Sequence, residues 1–359
     1  MNVLLPKSWE QLHAAARRAG VGGAPARYVT HLLSFDPPSH PERVSVVVAV
    51  SAGADELRAR ATLASIRAQT GVDLEIVLSE QGFAEPRHAE LAASFGAAHA
   101  VETLDPRANG ERFNLGRARN VGIGASTGEF VYLTDADVLL PHAGYLAALL
   151  PAMREHPRLV LTRPPLSHLA PAGQEDVLRA FAREPAWPPP GVRQPSPMLW
   201  TASDEVGEYI EVRNRGKLHI ASVADLWAAA GHPPGWEPRL VQACRHDGAL
   251  LARRAQLDAV AGYGEEFIGW GGEDVDLLWK LAGCFTPASL EHIADAEVVH
   301  LDHERGWYDK LLTERNRMLR ERRAAAGVLG VILEDLLGND SPYARALRER
   351  TRVHIGAPA

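Results

Sequence analysis

Two aspartates separated by one residue, Asp135 and Asp137, close the apolar run Phe130-Val131-Tyr132-Leu133. On extended backbone, residues two apart project from the same face, so both carboxylates can approach one cation. Hard oxygen ligands of this kind suit Mg2+ or Mn2+ shared with phosphate oxygens, and such an ion would neutralise a diphosphate leaving group. A second acidic pair, Glu273-Asp274, follows Phe267-Ile268-Gly269-Trp270-Gly271-Gly272 and precedes the apolar positions Val275, Leu277, Leu278 and Leu281 of a helix. The glycines permit backbone angles that other residues avoid. In the first turn of the helix, the peptide dipole favours the ionised form of both acids. An Asp-x-Asp alone is common among surface acids, and acids often open a helix after a glycine turn. The two motifs together point to a metal-dependent transferase.

Further polar groups fall at matching places. The stretch Arg112-Phe113-Asn114-Leu115-Gly116-Arg117-Ala118-Arg119-Asn120-Val121-Gly122 opens the helix before the Asp135 strand. Arg117 or Arg119 can pair with phosphate or a nucleobase, and Asn120 offers both a donor and an acceptor. The alternative for Arg119 is a solvated helix face. Ser51-Ala52-Gly53 and Ser79-Glu80-Gln81 end the first two strands and would line the same crevice, the usual ligand position in open parallel sheets. Downstream, Val298-Val299-His300-Leu301-Asp302-His303 places histidines after a short apolar strand, with His300 the first candidate and His303 the second. A neutral imidazole there could complete the metal shell begun by the aspartates.

The elements that position these groups are legible in outline. Val44–Val50 is a continuous run typical of a strand buried on both faces. Helical pattern from Asp55 to Gln69, strand at Leu74–Leu78, helix near Pro86–Phe95, helix at Asn114–Ala125 and strand at Phe130–Leu133 follow in turn. Strands alternating with helices imply parallel βαβ units and a sheet covered on both faces, an α/β fold. A helix near Ala143–Glu155 and a strand at Leu159–Thr162 come next, then a proline-dense tract from Pro185 to Pro197 that reads as a loop. Residues 198–245 carry Trp200, Trp227 and Trp236 without a clear period. The segment Arg305–Ala326 reads as a charged helix with Trp307, Leu311, Leu312 and Leu319 on its buried side.

With 359 residues, the chain can bury a large core without staples. Its 46% hydrophobic and 23% charged content is that of a soluble globular protein, and a net charge of −7 without a basic cluster argues against nucleic acid or an anionic membrane as main partner. Cys244 and Cys284 have no metal-type spacing, which fits a reducing, cytoplasmic setting. Residues 1–10 lack a signal-peptide pattern and no apolar run reaches spanning length, so any membrane contact is expected to be peripheral.

Together these motifs resemble the nucleotide-sugar glycosyltransferases of the GT-A fold. The first half is similar to the family 2 group through the Val44–Val50 strand, Gly116–Gly122 and Thr134-Asp135-Ala136-Asp137. Gly248-Ala249-Leu250-Leu251, Gly262-Tyr263 and Phe267–Asp274 resemble the galactosyltransferase groups. The resemblance covers about residues 44–305 and implies a GT-A domain at 43–304, with a nucleotide-sugar part at 43–165 and an acceptor part at 198–304. An N-terminal extension (1–42) and a C-terminal helical tail (305–359) would flank it. It also implies Asp137 as main metal ligand, Asp135 at the ribose or metal, and His300 completing an Mn2+ (or Mg2+) site. Asp274, with Glu273 beside it, would bind the acceptor hydroxyl and take its proton. Trp270 would close over donor and acceptor, with Gly271 and Gly272 beside it. Ser51, Glu80, Arg117 and Asn120 would meet the nucleotide sugar. The implied reaction moves a hexose of galactose, N-acetylgalactosamine or glucose type from a UDP-sugar to a glycan, glycolipid or small natural-product hydroxyl, with inversion.

The likeness has gaps: the first strand ends in Ala49-Val50-Ser51-Ala52-Gly53, and Leu115 stands where the galactosyltransferases have arginine. Residues 185–245 show no counterpart and are expected to shape the acceptor site. Two other readings use a similar sheet. A sugar nucleotidyltransferase would need a glycine-rich, lysine-bearing N-terminal loop, which the chain lacks. A non-catalytic carbohydrate-binding protein would be expected to lose the acids or the loop tryptophan, and Asp135, Asp137, Trp270, Glu273 and Asp274 are all present.

Overall fold

A computed structural model describes residues 40–83, 85–104, 112–169, 174–187, 189, 198–202, 209–212, 240–242, 245–269, 271–290, 295–301, 303 and 309–356. The valine run forms β1 (His40–Ser51), whose residues Val44 to Val50 are all buried. Asp55 then caps α1 (Glu56–Arg67), its side chain accepting from the amides of Leu57 and Arg58. β2 (Asp73–Gly82), α2 (Ala89–Phe95) and β3 (Ala98–Thr103) follow. Strand β2 runs through Ser79, Glu80 and Gln81, four residues beyond its expected end, because β3 pairs with those positions. α3 (Leu115–Ala125) starts from Asn114, which accepts from Arg117 N at 2.9 Å. β4 (Gly128–Asp135), β5 (Val138–Leu139), α4 (Tyr145–Glu155), β6 (Leu159–Thr162), β7 (Leu166–Leu169) and α5 (Gln174–Arg183) complete the first half.

The rest of the chain supplies short strands β8 (Met198–Ala202), β9 (Tyr209–Val212) and β10 (Leu240–Gln242), then β11 (Leu250–Arg253) and α6 (Arg254–Ala259). After the glycine loop come α7 (Glu273–Cys284), β12 (Thr286–Ser289), β13 (Val298–Leu301), α8 (Lys310–Ala326), α9 (Val328–Gly338) and α10 (Pro342–Gly356). The main sheet has the order β12-β6-β11-β4-β1-β2-β3, parallel throughout except for β11.

Alternation along β1 explains the three layers. Val44, Val46, Val48 and Val50 pack with Leu63 and Ile66 of α1, Leu91 of α2 and Leu146 of α4 on one face. Val47 faces the other way, into Ile123 of α3, Leu257 of α6, Leu277 of α7, Ile332 of α9 and Tyr343 of α10. A strand covered on both sides has no solvent face to mark with polar residues, hence its unbroken apolar run. A separate small sheet, β5-β13-β7, stands beside the carboxyl end of β4.

The C-terminal helices are docked by charge as well as by apolar packing. Arg323 of α8, buried, grips Asp276 of α7 through two bonds of 2.7 Å and Asp335 of α9 through bonds of 2.9 and 2.7 Å. Lys280 of α7, equally buried, adds 2.5 Å to Asp335 and 2.6 Å to the Gly262 carbonyl. The expected buried side of α8 is corrected in one respect: Leu311 is 82% exposed, while Asn316 faces inward and donates to Ile268 O at 3.0 Å. Trp307 lies outside the described residues, as do Trp227, Trp236 and most of the Pro185–Pro197 tract.

Candidate active site

Strand β4 ends at Asp135, and residues 136–137 form a turn before β5. The two aspartates therefore do not share one extended face, and their side chains enter different groups. β13 pairs with β5, setting His300 opposite Val138, and Leu301 N donates to Asp137 O at 2.8 Å. This backbone pairing delivers His300 Nε2 to 3.6 Å from Asp137 Oδ2, and His303 Nε2 approaches the same oxygen to 2.9 Å. One ligand atom from each of Asp137, His300 and His303 lies within 4.8 Å of the others. Burial alone would raise the Asp137 pKa, but the His303 hydrogen bond and the charges of His300 and His303 outweigh it and hold the carboxyl below its ordinary range.

Asp135 belongs to a second group built around Arg119. That arginine is completely buried on α3, not solvated. Its Nη2 donates to Asp135 Oδ1 at 2.5 Å, and its Nη1 donates to Asp274 Oδ1. Nη1 also lies 3.2 Å from the Tyr263 hydroxyl, and the guanidinium sits 5.2 Å from the Tyr263 ring centre. His246 Nε2 lies 3.5 Å from Asp135 Oδ2, buried and without a hydrogen-bond partner among the described residues. Gly248 makes room for this cluster: a Cβ there would stand 2.7 Å from Arg119 Nη2 and 3.2 Å from Asp135 Oδ2.

Glu273 and Asp274 open α7, as the glycine loop demands. Gly269, Gly271 and Gly272 all have positive φ, 74°, 94° and 104°, a region that L side chains rarely enter. The loop is tied at its start by Gly269 N donating to Phe113 O at 3.0 Å. Trp270 lies outside the described residues. The expectation that the helix start favours the ionised form of both acids is overturned by burial: Asp274 keeps some exposure, yet burial raises its pKa against the pull of Arg119. Glu273 is buried, with Oε2 unpartnered among the described residues.

Burial, and next the charge of Asp274, push Glu273 up to about 8 from 4.5. Below 4.5 the group is protonated in both the folded and the unfolded chain. As pH rises toward 8, the unfolded chain alone ionises it, and stability falls by roughly 1.4 kcal/mol per pH unit. Glu273→Gln is therefore expected to flatten the fall of Tm between those limits and to exceed wild type at the upper one. Identical Tm–pH slopes for the two proteins would refute this.

The remaining positions singled out in the sequence hold other partners. Glu80 is buried and accepts from the amides of Arg87 (2.6 Å) and His88 (3.0 Å), with His99 Nε2 at 2.8 Å. Burial is outweighed by these hydrogen bonds, and its pKa is lowered. Arg117 spans Glu102 (2.8 Å) and Glu265 (3.2 Å). Asn120, buried, takes Tyr263 N at 2.8 Å and donates to Tyr263 O and Glu265, fastening the 263–265 segment to α3. Ser51 is half-buried at the end of β1, opposite Gln81. His246, Gly248 and Tyr263 entered the site without being singled out for a role; a glycine directly after His246-Asp247 was the one available signal.

Residues 45–171 match the family described as glycosyl transferase family 2, and residues 238–295 match that described as the N-terminal domain of galactosyltransferase. The second match begins inside the stretch 185–245 that shows no counterpart by inspection. Both matches are to glycosyltransferase families, and the mostly parallel seven-stranded sheet flanked by helices has the GT-A fold.

Among solved structures, GalNAc-T7 with UDP, GalNAc and Mn2+ aligns over 86% of this chain and 54% of its own, at 14% identity and a TM-score of 0.50. The present chain thus spans about half the length of that relative. Residues 1–349 of S. aureus TarS with UDP align over 86% and 70% of the two chains, at 15% identity and a TM-score of 0.41. Mannosyltransferase PcManGT from Pyrobaculum calidifontis, with GDP-Man and Mn2+, aligns over 96% and 92%, at 14% identity and a TM-score of 0.39. Comparison with curated proteins yields no match. No helix among the described residues is long and apolar enough to cross a membrane.

Proposed function

We propose that this chain transfers a hexose from a UDP-sugar to an acceptor hydroxyl with inversion, using a divalent cation held by Asp137, His300 and His303. The observation that carries this reading is the convergence of those three ligand atoms within 4.8 Å from the β4–β5 turn and the end of β13. One carboxylate and two imidazoles are a donor set that fits Mn2+ better than Mg2+, which prefers oxygen and water. The cation, when bound, supplies Lewis-acid stabilisation of a departing diphosphate. The GalNAc-T7 structure with UDP, GalNAc and Mn2+ supports a nucleotide diphosphate and Mn2+ on this fold.

The chain's own residues do the rest. Asp135, drawn toward Arg119 and outside the three-ligand group, serves the donor's ribose. Asp274 is the general base for the acceptor hydroxyl, and its partial exposure at the start of α7 keeps it reachable. The Gly269–Gly272 loop, with Trp270, closes over donor and acceptor and limits hydrolysis. An indole face suits the apolar side of a pyranose ring. The acceptor is a glycan, a glycolipid or a small natural product.

The deciding experiment is UDP release from a panel of UDP-sugars with Mn2+, beside an EDTA control. Slow, cation-dependent release from one donor is expected. Absence of both release and cation-dependent nucleotide-sugar binding would overturn the proposal, binding without release would favour a non-catalytic carbohydrate-binding protein, and pyrophosphate release from a nucleoside triphosphate would favour a nucleotidyltransferase.

A further inference from the structure

Both hydrogen bonds that reach Asp274 arrive at the same oxygen. Arg119 Nη1 and the Tyr263 hydroxyl, the latter at 3.3 Å, donate to Oδ1, and no described residue donates to Oδ2. The other nitrogen of the same guanidinium bonds Asp135 Oδ1 at 2.5 Å. The Arg119 side chain has little freedom to leave this arrangement. It is completely buried, the Tyr263 ring lies on one side, and the Gly248 backbone comes so near Nη2 that a Cβ would stand at 2.7 Å. A planar fork held this way fixes direction as well as charge, which a lysine ammonium cannot do across two carboxylates. Burial keeps the Tyr263 pKa far above its ordinary value, so its hydroxyl remains a donor.

We infer that Arg119 and Tyr263 are positioning residues that saturate Oδ1 of Asp274 and leave Oδ2 as the atom aimed at the acceptor, while Arg119 sets the distance from that base to the donor side through Asp135. This rests on Asp274 being the base. In the transfer step the acceptor O–H proton moves to Asp274 Oδ2. The acceptor oxygen's electron pair forms the bond to the anomeric carbon, and the bond from that carbon to the diphosphate oxygen breaks with its pair leaving on UDP. Oδ1 keeps both hydrogen bonds throughout, so the carboxyl does not rotate as it takes the proton. The aim of Oδ2 is thus set before the acceptor arrives.

The test uses the full chain and the UDP-sugar that wild type turns over, with water as acceptor and UDP release as readout. Tyr263→Phe is expected to lower kcat about tenfold or more while donor KM stays within about twofold, and Arg119→Lys to lower kcat at least as much with a rise in donor KM as well, because it also loosens Asp135. Arg119→Ala is expected to regain part of its lost rate when guanidinium is added at millimolar concentration, which a purely structural role would not produce. If the Arg119 variants fail to fold, Tyr263→Phe decides, since it removes only the hydroxyl.

Asp274→Asn is measured alongside. Full activity in that variant removes the base assignment itself. An inactive Asp274→Asn beside wild-type rates in Tyr263→Phe and Arg119→Lys overturns the positioning role alone, as does a rise in donor KM with kcat intact.

Discussion

Asp137→Ala is expected to abolish cation-dependent UDP release and Mn2+ binding together. Three groups converge on one point in the described structure, and Asp137 is the only carboxylate among them. Its hydrogen bond from His303 and the nearby charge of His300 hold the ionised form, which is the form a cation needs. A bound cation contributes several kcal/mol of transition-state stabilisation, which corresponds to a rate loss on the order of a thousandfold. His300→Ala and His303→Ala leave a carboxylate and one imidazole in place, and each is expected to lose less than Asp137→Ala. Calorimetric titration with Mn2+ alone separates loss of the ion from loss of fold. A variant that keeps wild-type Mn2+ affinity and turnover would remove Asp137 from the metal site.

Arg323→Ala gives the largest expected loss of stability. The side chain carries four bonds to Asp276 and Asp335, all within 2.7–2.9 Å, at a position closed to solvent. Removing it leaves two buried carboxylates with Lys280 as the nearest cation, 2.5 Å from Asp335 and 4.0 Å from Asp276. Breaking one partner out of a buried ion network costs about 3–5 kcal/mol, here a fall in Tm of roughly 5 °C for a chain of this length. Activity is expected to fall too. Asp276 lies one turn into the helix that begins with Glu273-Asp274, and α8 also fastens the loop before it through Asn316 to Ile268 O and Arg315 to Glu266 O. A Tm within about 2 °C of wild type would show that the network contributes little net stability.

The layering of this fold could be read from residues. Val44–Val50 announced a strand covered on both faces, and the alternation of strands with helices up to β4 announced a mostly parallel sheet. What escaped depended on short elements and distant partners. Val138–Leu139 is too short to show a period, yet its pairing with β13 brings His300 and His303 to Asp137. An Asp-x-Asp read as one extended stretch puts both acids on one face; the chain turns after Asp135, and that carboxylate bonds Arg119. Arg117 and Arg119 are near neighbours on one helix and look alike in sequence. Only the positions of Glu102, Glu265, Asp274 and Tyr263, on other elements, make one a half-buried tie and the other the fully buried centre of the site. Arg323 has the same character: it sits in a charged helix whose expected buried side is apolar, and its carboxylate partners lie 47 and 12 residues away.

The single guanidinium between Asp135 and Asp274 also bears on inheritance. Asp135 and Arg119 come from the segment matched at 45–171, Asp274 from that matched at 238–295. A recombinant whose second segment comes from a relative without an acid at the Asp274 position severs the shared contact, and it is expected to lose alignment of donor and acceptor even if both halves fold. The two segments are therefore expected to be constrained as a pair, with change at Gly248 or Tyr263 tolerated only alongside change at Arg119.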